Sequence, residues 1–110
     1  MAGGKATKME ADMATYLMLF SFTQQGIEKI KQLPARGEAA KKIIRQMGGE
    51  VQTYYLILGS EFDTLFILRA PNDEKVAEMA LAIALAGNVR TRTHRLFSED
   101  ELSRITSSLP

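Results

Sequence analysis

The stretch Tyr54 to Ala70, YYLILGSEFDTLFILRA, restricts the fold more than any other part of this chain. Two runs of aromatic and aliphatic residues flank a short polar break, Gly59-Ser60-Glu61, the pattern of two strands folded back on each other. A hairpin of this kind belongs to an antiparallel sheet, and the remaining segments must supply its other strands and its cover. Ala14 to Phe22, ATYLMLFSF, supplies one such strand. Its alternation places Tyr16, Met18, Phe20 and Phe22 on one face and Thr15, Leu17, Leu19 and Ser21 on the other. Both faces carry large apolar groups, so the strand is central in its sheet and covered on both sides.

Helices follow from the breaks between strands. Thr23 offers a capping oxygen to a helix carrying Ile27 and Ile30 at apolar positions. Pro34 interrupts it, and Ala39, Ala40, Ile43, Ile44 and Met47 resume the stripe, which predicts a kinked helix or two short ones. Gly48-Gly49 ends the segment. Strands are expected at Glu50 to Leu58 and Phe62 to Ala70. Asn72 caps a second helix that runs to Ala86, has Asp73 and Glu74 in its first turn, and buries Val76, Met79, Ala80 and Ile83. Val89 to Phe97 is a fourth strand. Ser98 and Glu101 have the spacing of a capping box opening a short last helix with Leu102 and Ile105. Residues 1–12 are small, polar and without period; they read as a flexible extension before a domain over residues 13–110.

The order βαββαβ predicts an α+β, ferredoxin-like sandwich. It has an antiparallel sheet with the first and third strands in the middle, both helices on one face, and a short C-terminal helix. The second sheet face would then be an apolar patch larger than monomers usually expose, and pairing of two copies sheet to sheet is the simplest cover. At 110 residues the chain is one domain. A net charge of +1 excludes a global field for nucleic acid. The absence of cysteine and the single histidine remove disulfides, thiolate nucleophiles and ordinary zinc sites, so neither metal nor cofactor is expected. No apolar run has the length of a membrane span, and a cytoplasmic protein is expected.

Several segments resemble one family in sequence: QGIEKIKQLPARGEAAKKI, then MGGEVQTYYLILGSEFD, APNDE and, most specific of all, GNVRTRTHRLFSEDE. Together they resemble the GYD domain proteins over nearly all of Tyr16 to Glu101. The naming motif is altered, since Gly59-Ser60-Glu61-Phe62-Asp63 carries one extra residue and a phenylalanine in place of the tyrosine. The resemblance implies membership of the dimeric α/β-barrel group, in which two ferredoxin-like units pack sheet to sheet. It implies no particular activity.

Candidate site residues come from this break and from the fourth strand. Glu61 and Asp63 stand two apart, as paired carboxylates that divide acid and base roles or as solvated turn formers. Phe62 lies between them. His94 shares a face with Arg90 and Arg92, an arrangement for an anion or for a base of lowered pKa, or a charged edge strand that discourages aggregation. Tyr54 and the other aromatic residues line a hydrophobic ligand cavity or form plain core. Arg36 stands near a cavity mouth or on the surface. The candidate ligand contacts are therefore Tyr54, Glu61, Phe62, Asp63, Arg92 and His94, with a small hydrophobic molecule as ligand and a second copy of the chain as partner. The functional expectation is a homodimeric small-molecule-binding module, noncatalytic and serving sensing or assembly. The alternative is a cofactor-independent, monooxygenase-like enzyme acting on a small aromatic or polyketide-like substrate. RNA binding is disfavoured, because FDTLFILRA lacks the basic, glycine and aromatic pattern of RNA-recognition strands.

Overall fold

The computed structural model describes residues 12–110, so the extension expected over residues 1–12 lies, except for Asp12, outside the described residues. The elements are β1 (Ala14–Phe22), α1 (Gln24–Glu28), a 3-10 turn (Ile30–Gln32), α2 (Leu33–Gln46), β2 (Glu50–Leu56), β3 (Thr64–Ala70), α3 (Asp73–Ala84), β4 (Val89–Leu96) and α4 (Glu99–Ser107). The strands form one sheet in the order β2-β3-β1-β4, antiparallel throughout, with β1 and β3 central as expected. This is the split βαβ arrangement of a ferredoxin-like sandwich.

Helices α2 and α3 cover one face. Tyr16, Met18 and Phe20 of β1 and Phe66, Leu68 and Ala70 of β3 are buried there with Ile44, Val76, Met79 and Ile83. Asn72 caps α3 by accepting from the Lys75 N–H at 2.9 Å. Ser98 and Glu101 complete the capping box of α4. Pro34 starts a helix instead of interrupting one. It sits in the first turn of α2, where its missing N–H would have had no intrahelical acceptor.

Two expectations change with the packing. Ile27 and Ile30 are 51% and 38% exposed instead of buried. α1 turns its glycine edge inward: a Cβ on Gly26 would stand 2.1 Å from the Asn88 carbonyl oxygen, so only glycine permits this contact. The hairpin break is also longer than three residues, because β2 ends at Leu56 and β3 begins at Thr64. Asp63 closes the loop. Its N–H donates to the Phe20 carbonyl at 2.8 Å, its carbonyl accepts from the Ile57 N–H at 2.7 Å, and its carboxylate accepts from the Phe22 N–H at 2.8 Å.

Among the described residues, none forms a layer over the opposite sheet face. Leu17 and Leu19 of β1 and Leu65 and Ile67 of β3 are half-buried there by their neighbours alone, flanked by exposed Tyr55, Arg90, Arg92 and His94. Among the described residues no helix is long and apolar enough to cross a membrane.

Candidate functional site

The six sequence-predicted contacts separate into two places. Glu61, Phe62 and Asp63 lie in the loop between β2 and β3, and the Arg92 guanidinium stands 5.3 Å from the centre of the Phe62 ring. His94 is exposed on the uncovered sheet face opposite Leu17, and Arg92 on the same face opposite Leu19. Asp63 is committed to backbone groups, as described above, and Glu61 is exposed, contributing its carbonyl to the Ser21 hydroxyl at 3.3 Å. Of these groups, Arg92 and Phe62 are in contact.

Tyr54 points to the other side. A bulge between Val51 and Thr53 shifts the alternation of β2, so that Tyr54 pairs with Phe66 and joins the covered face. Its ring meets Phe66 edge to face, with centroids 5.0 Å apart, and Phe66 meets Phe20 in the same way at 5.0 Å. Beside this aromatic row a half-open cavity of about 120 Å³ separates α2 from the sheet. Phe20, Leu33, Ala40, Ile43, Ile83 and Val89 make its wall apolar, while Tyr54, Thr64, Asn88 and Arg36 contribute polar groups. None of Glu61, Phe62, Asp63, Arg92 or His94 lines it. They stand instead in a loop and on the opposite sheet face.

Of the two places the sequence leaves open for Arg36, the structure gives it the cavity. Near the start of α2 it folds back, and its Nη1 donates to the carbonyls of Lys29 at 2.8 Å and Gly26 at 3.2 Å. Its guanidinium lies 5.9 Å from the Phe22 ring centre. Its Nη2 is buried and has no hydrogen-bond partner. The available signal was Pro34: a proline in a first helical turn fixes where the next residues point, and Arg36 follows two positions later.

Gly37, next in the chain, lets the helix approach Tyr54, since a Cβ there would stand 2.9 Å from ring atom Cε2 and 3.1 Å from the hydroxyl oxygen. Burial holds the Tyr54 phenol above its ordinary pKa of 10.0, against an opposing pull from the Arg36 charge. At neutral pH it is a hydrogen-bond donor, not a base.

A second polar cluster does structural work at the far end of β1. The Tyr16 hydroxyl donates to Asp73 Oδ1 at 2.5 Å. Burial first, then that hydrogen bond, push the Tyr16 phenol up to about 12. Arg95 lies over the rings of Tyr16 and Phe97, bonds the Leu96 carbonyl, and pairs with Glu101 at 2.9 Å, which ties α4 to the sheet.

The profile of the GYD domain family matches residues 16–106. No protein of curated function matches the chain in sequence. Among solved structures, the chain is similar to a leucine response regulatory protein from Mycobacterium tuberculosis, with a TM-score of 0.61 and 17% identity over 84% of this chain and 55% of that one. It is also similar to a mutant of Rv3291c, with a TM-score of 0.54 and 14% identity over 84% of this chain and 54% of that one. The chain thus spans about half the length of both, and at these identities the likeness concerns the fold.

Proposed function

This chain belongs to the GYD domain family, and on that premise we propose that it is a homodimeric, cytoplasmic small-molecule-binding module that works by holding a ligand and not by turning it over. The half-open apolar cavity between α2 and the sheet carries this reading. Ligand sites are concave, mostly apolar, and furnished with a few polar groups that orient the ligand. The volume of about 120 Å³ sets the size of the occupant. An apolar cavity of about 150 Å³ accepts a benzene ring in another protein, so one ring or a short branched chain is the scale here. Tyr54, protonated and aimed from the aromatic row, is suited to orienting a ligand through its hydroxyl.

The second half of the proposal concerns the bare sheet face. Leu17, Leu19, Leu65 and Ile67 form a continuous apolar strip over the two central strands. A second copy placed sheet to sheet would remove that strip from water and make the barrel that the family resemblance implies. The leucine response regulatory protein shares the fold, and its name accords with a sensing role for the ligand.

The test is a titration of the 15N-labelled protein with compact one-ring and branched-chain compounds, followed by amide shift mapping. Shifts centred on Arg36, Gly37, Tyr54 and Thr64 support the cavity. Saturable shifts confined to Glu61, Arg92 and His94 would move the site to the open face.

A further inference from the structure

We propose that the cavity selects an anion: its ligand is a compact apolar carboxylate whose acid group is received by Arg36, with the Tyr54 hydroxyl as second donor. This rests on the ligand-binding reading above and adds the chemical class. Among the described residues lining the cavity, Arg36 alone carries a formal charge, and no carboxylate stands with it. Among the described residues its charge is met by two backbone carbonyls, both on Nη1, and by the face of Phe22. The described ion pairs, Lys41 with Glu38, Lys75 with Glu78 and Arg95 with Glu101, do not include it. Its Nη2 is removed from water with no acceptor. Arg36 is only half-buried, so the cost falls on this one donor: a charged N–H closed off from water without an acceptor is unfavourable.

An anion in the cavity would remedy this. A guanidinium presents its donors in a planar fork that fits two carboxylate oxygens. With Nη1 already occupied, Nη2 is the donor without an acceptor; it would receive one oxygen of the ligand once the guanidinium turns toward the cavity that Arg36 lines, and the Tyr54 phenol at the same cavity has a proton to offer. A phosphate or sulfate ester fits less well: the wall is apolar, no second cation lines it, and a doubly charged group would be left half compensated. Thr64 is buried at the same wall.

The experiment compares a carboxylate with its neutral isostere, benzoate against benzamide and isovalerate against isovaleramide, by calorimetry and amide shift mapping at pH 7. The acid should bind roughly tenfold or more tightly than its amide, the discrimination expected of one desolvated charge-assisted hydrogen bond. In Arg36→Met, which keeps the apolar stem, that preference should vanish, the acid losing more affinity than the amide. Because Arg36 also ties down the Gly26 and Lys29 carbonyls, Arg36→Lys serves as a second variant that keeps charge and loses the fork; it should retain only part of the preference. Equal binding of acid and amide to the natural chain, or an acid preference surviving in Arg36→Met, overturns the anion assignment and leaves the cavity reading standing. If no member of either pair binds, or if shifts fall outside the cavity, the cavity reading fails and this inference fails with it.

Discussion

Gly37→Ala probes the cavity wall most directly, because two known effects oppose each other there. In a helix interior the change from glycine to alanine stabilises by about 1 kcal/mol through backbone entropy. At this position the added methyl would stand 2.9 Å from Tyr54 Cε2, 3.1 Å from its oxygen and 3.3 Å from Cζ. The ring cannot simply retreat: Phe66 meets it edge-on at 5.0 Å, and the Lys41 ammonium stands 5.3 Å from its centre. Overpacking of this kind costs about 1–3 kcal/mol. The clash should win by about 1 kcal/mol, which for a domain of this size lowers the Tm by roughly 4–8 °C. Thermal unfolding followed by circular dichroism reads this, and titration should show weaker ligand binding, since the displaced ring has only the cavity to enter. In a Tyr54→Ala background the same substitution should instead raise the Tm, the helix gain being no longer opposed. If Gly37→Ala stabilises the natural chain by the full helix-propensity amount, Tyr54 does not pack on the helix and the cavity wall has been misread.

Other perturbations address the remaining parts. Ile67→Glu, in the middle of the bare sheet face, should convert a species of twice 12.2 kDa to one of 12.2 kDa in light scattering, whereas a natural chain that is already monomeric refutes the sheet-to-sheet dimer. Ser98→Ala removes the cap of α4 and should weaken that helix by about 1 kcal/mol, seen as faster amide exchange in residues 99–107 with little change in global Tm. Glu101, the partner in that capping box, is held below its ordinary pKa of 4.5 by the Ser98 N–H and then by Arg95. Its contribution is present in full above that pH and lost as pH falls through the lowered value, so exchange in α4 should accelerate on acidification below 4.5. Tyr16 behaves in the opposite sense. With a folded pKa of about 12 against 10.0, its stabilisation is intact below pH 10 and lost as pH rises through about 12. Tyr16→Phe should remove one late-ionising phenol from a spectrophotometric titration and flatten the alkaline limb of the stability profile.

Much of the architecture was legible because it is written in local periods. The two-residue alternation of β1 assigns Tyr16, Met18 and Phe20 to one face and Leu17 and Leu19 to the other, and the structure buries the first set under the helices. The stripe Val76, Met79, Ala80 and Ile83 is buried as its helical spacing requires. Caps at Thr23, Asn72 and Ser98 are chemical signals contained within four residues, and all three are made. By contrast, Ile27 and Ile30 carried the right residue types and were left exposed, since the placement of a five-residue helix depends on what its glycine edge meets and not on its own pattern.

The candidate site needed the tertiary structure for the same physical reason. Sequence singled out Glu61, Phe62, Asp63, Arg92 and His94 by residue type, but could not say that Asp63 is occupied by the backbone amide of Phe22, forty-one positions away. It named Tyr54 but not the side of the sheet that Tyr54 occupies. One extra residue in β2, at the bulge after Val51, decides which side of the sheet Tyr54 occupies, and a bulge is invisible to a period of two. The cavity is made where that bulge, the fold-back of Arg36 and the missing side chain of Gly37 coincide. The strands, most of the helices and the faces of β1 and α3 were specified by neighbours along the chain. Only the packing of α2 against β2 decided that an arginine with a free donor, a protonated tyrosine and an apolar space of one-ring size stand together, because those contacts join residues that no local pattern connects.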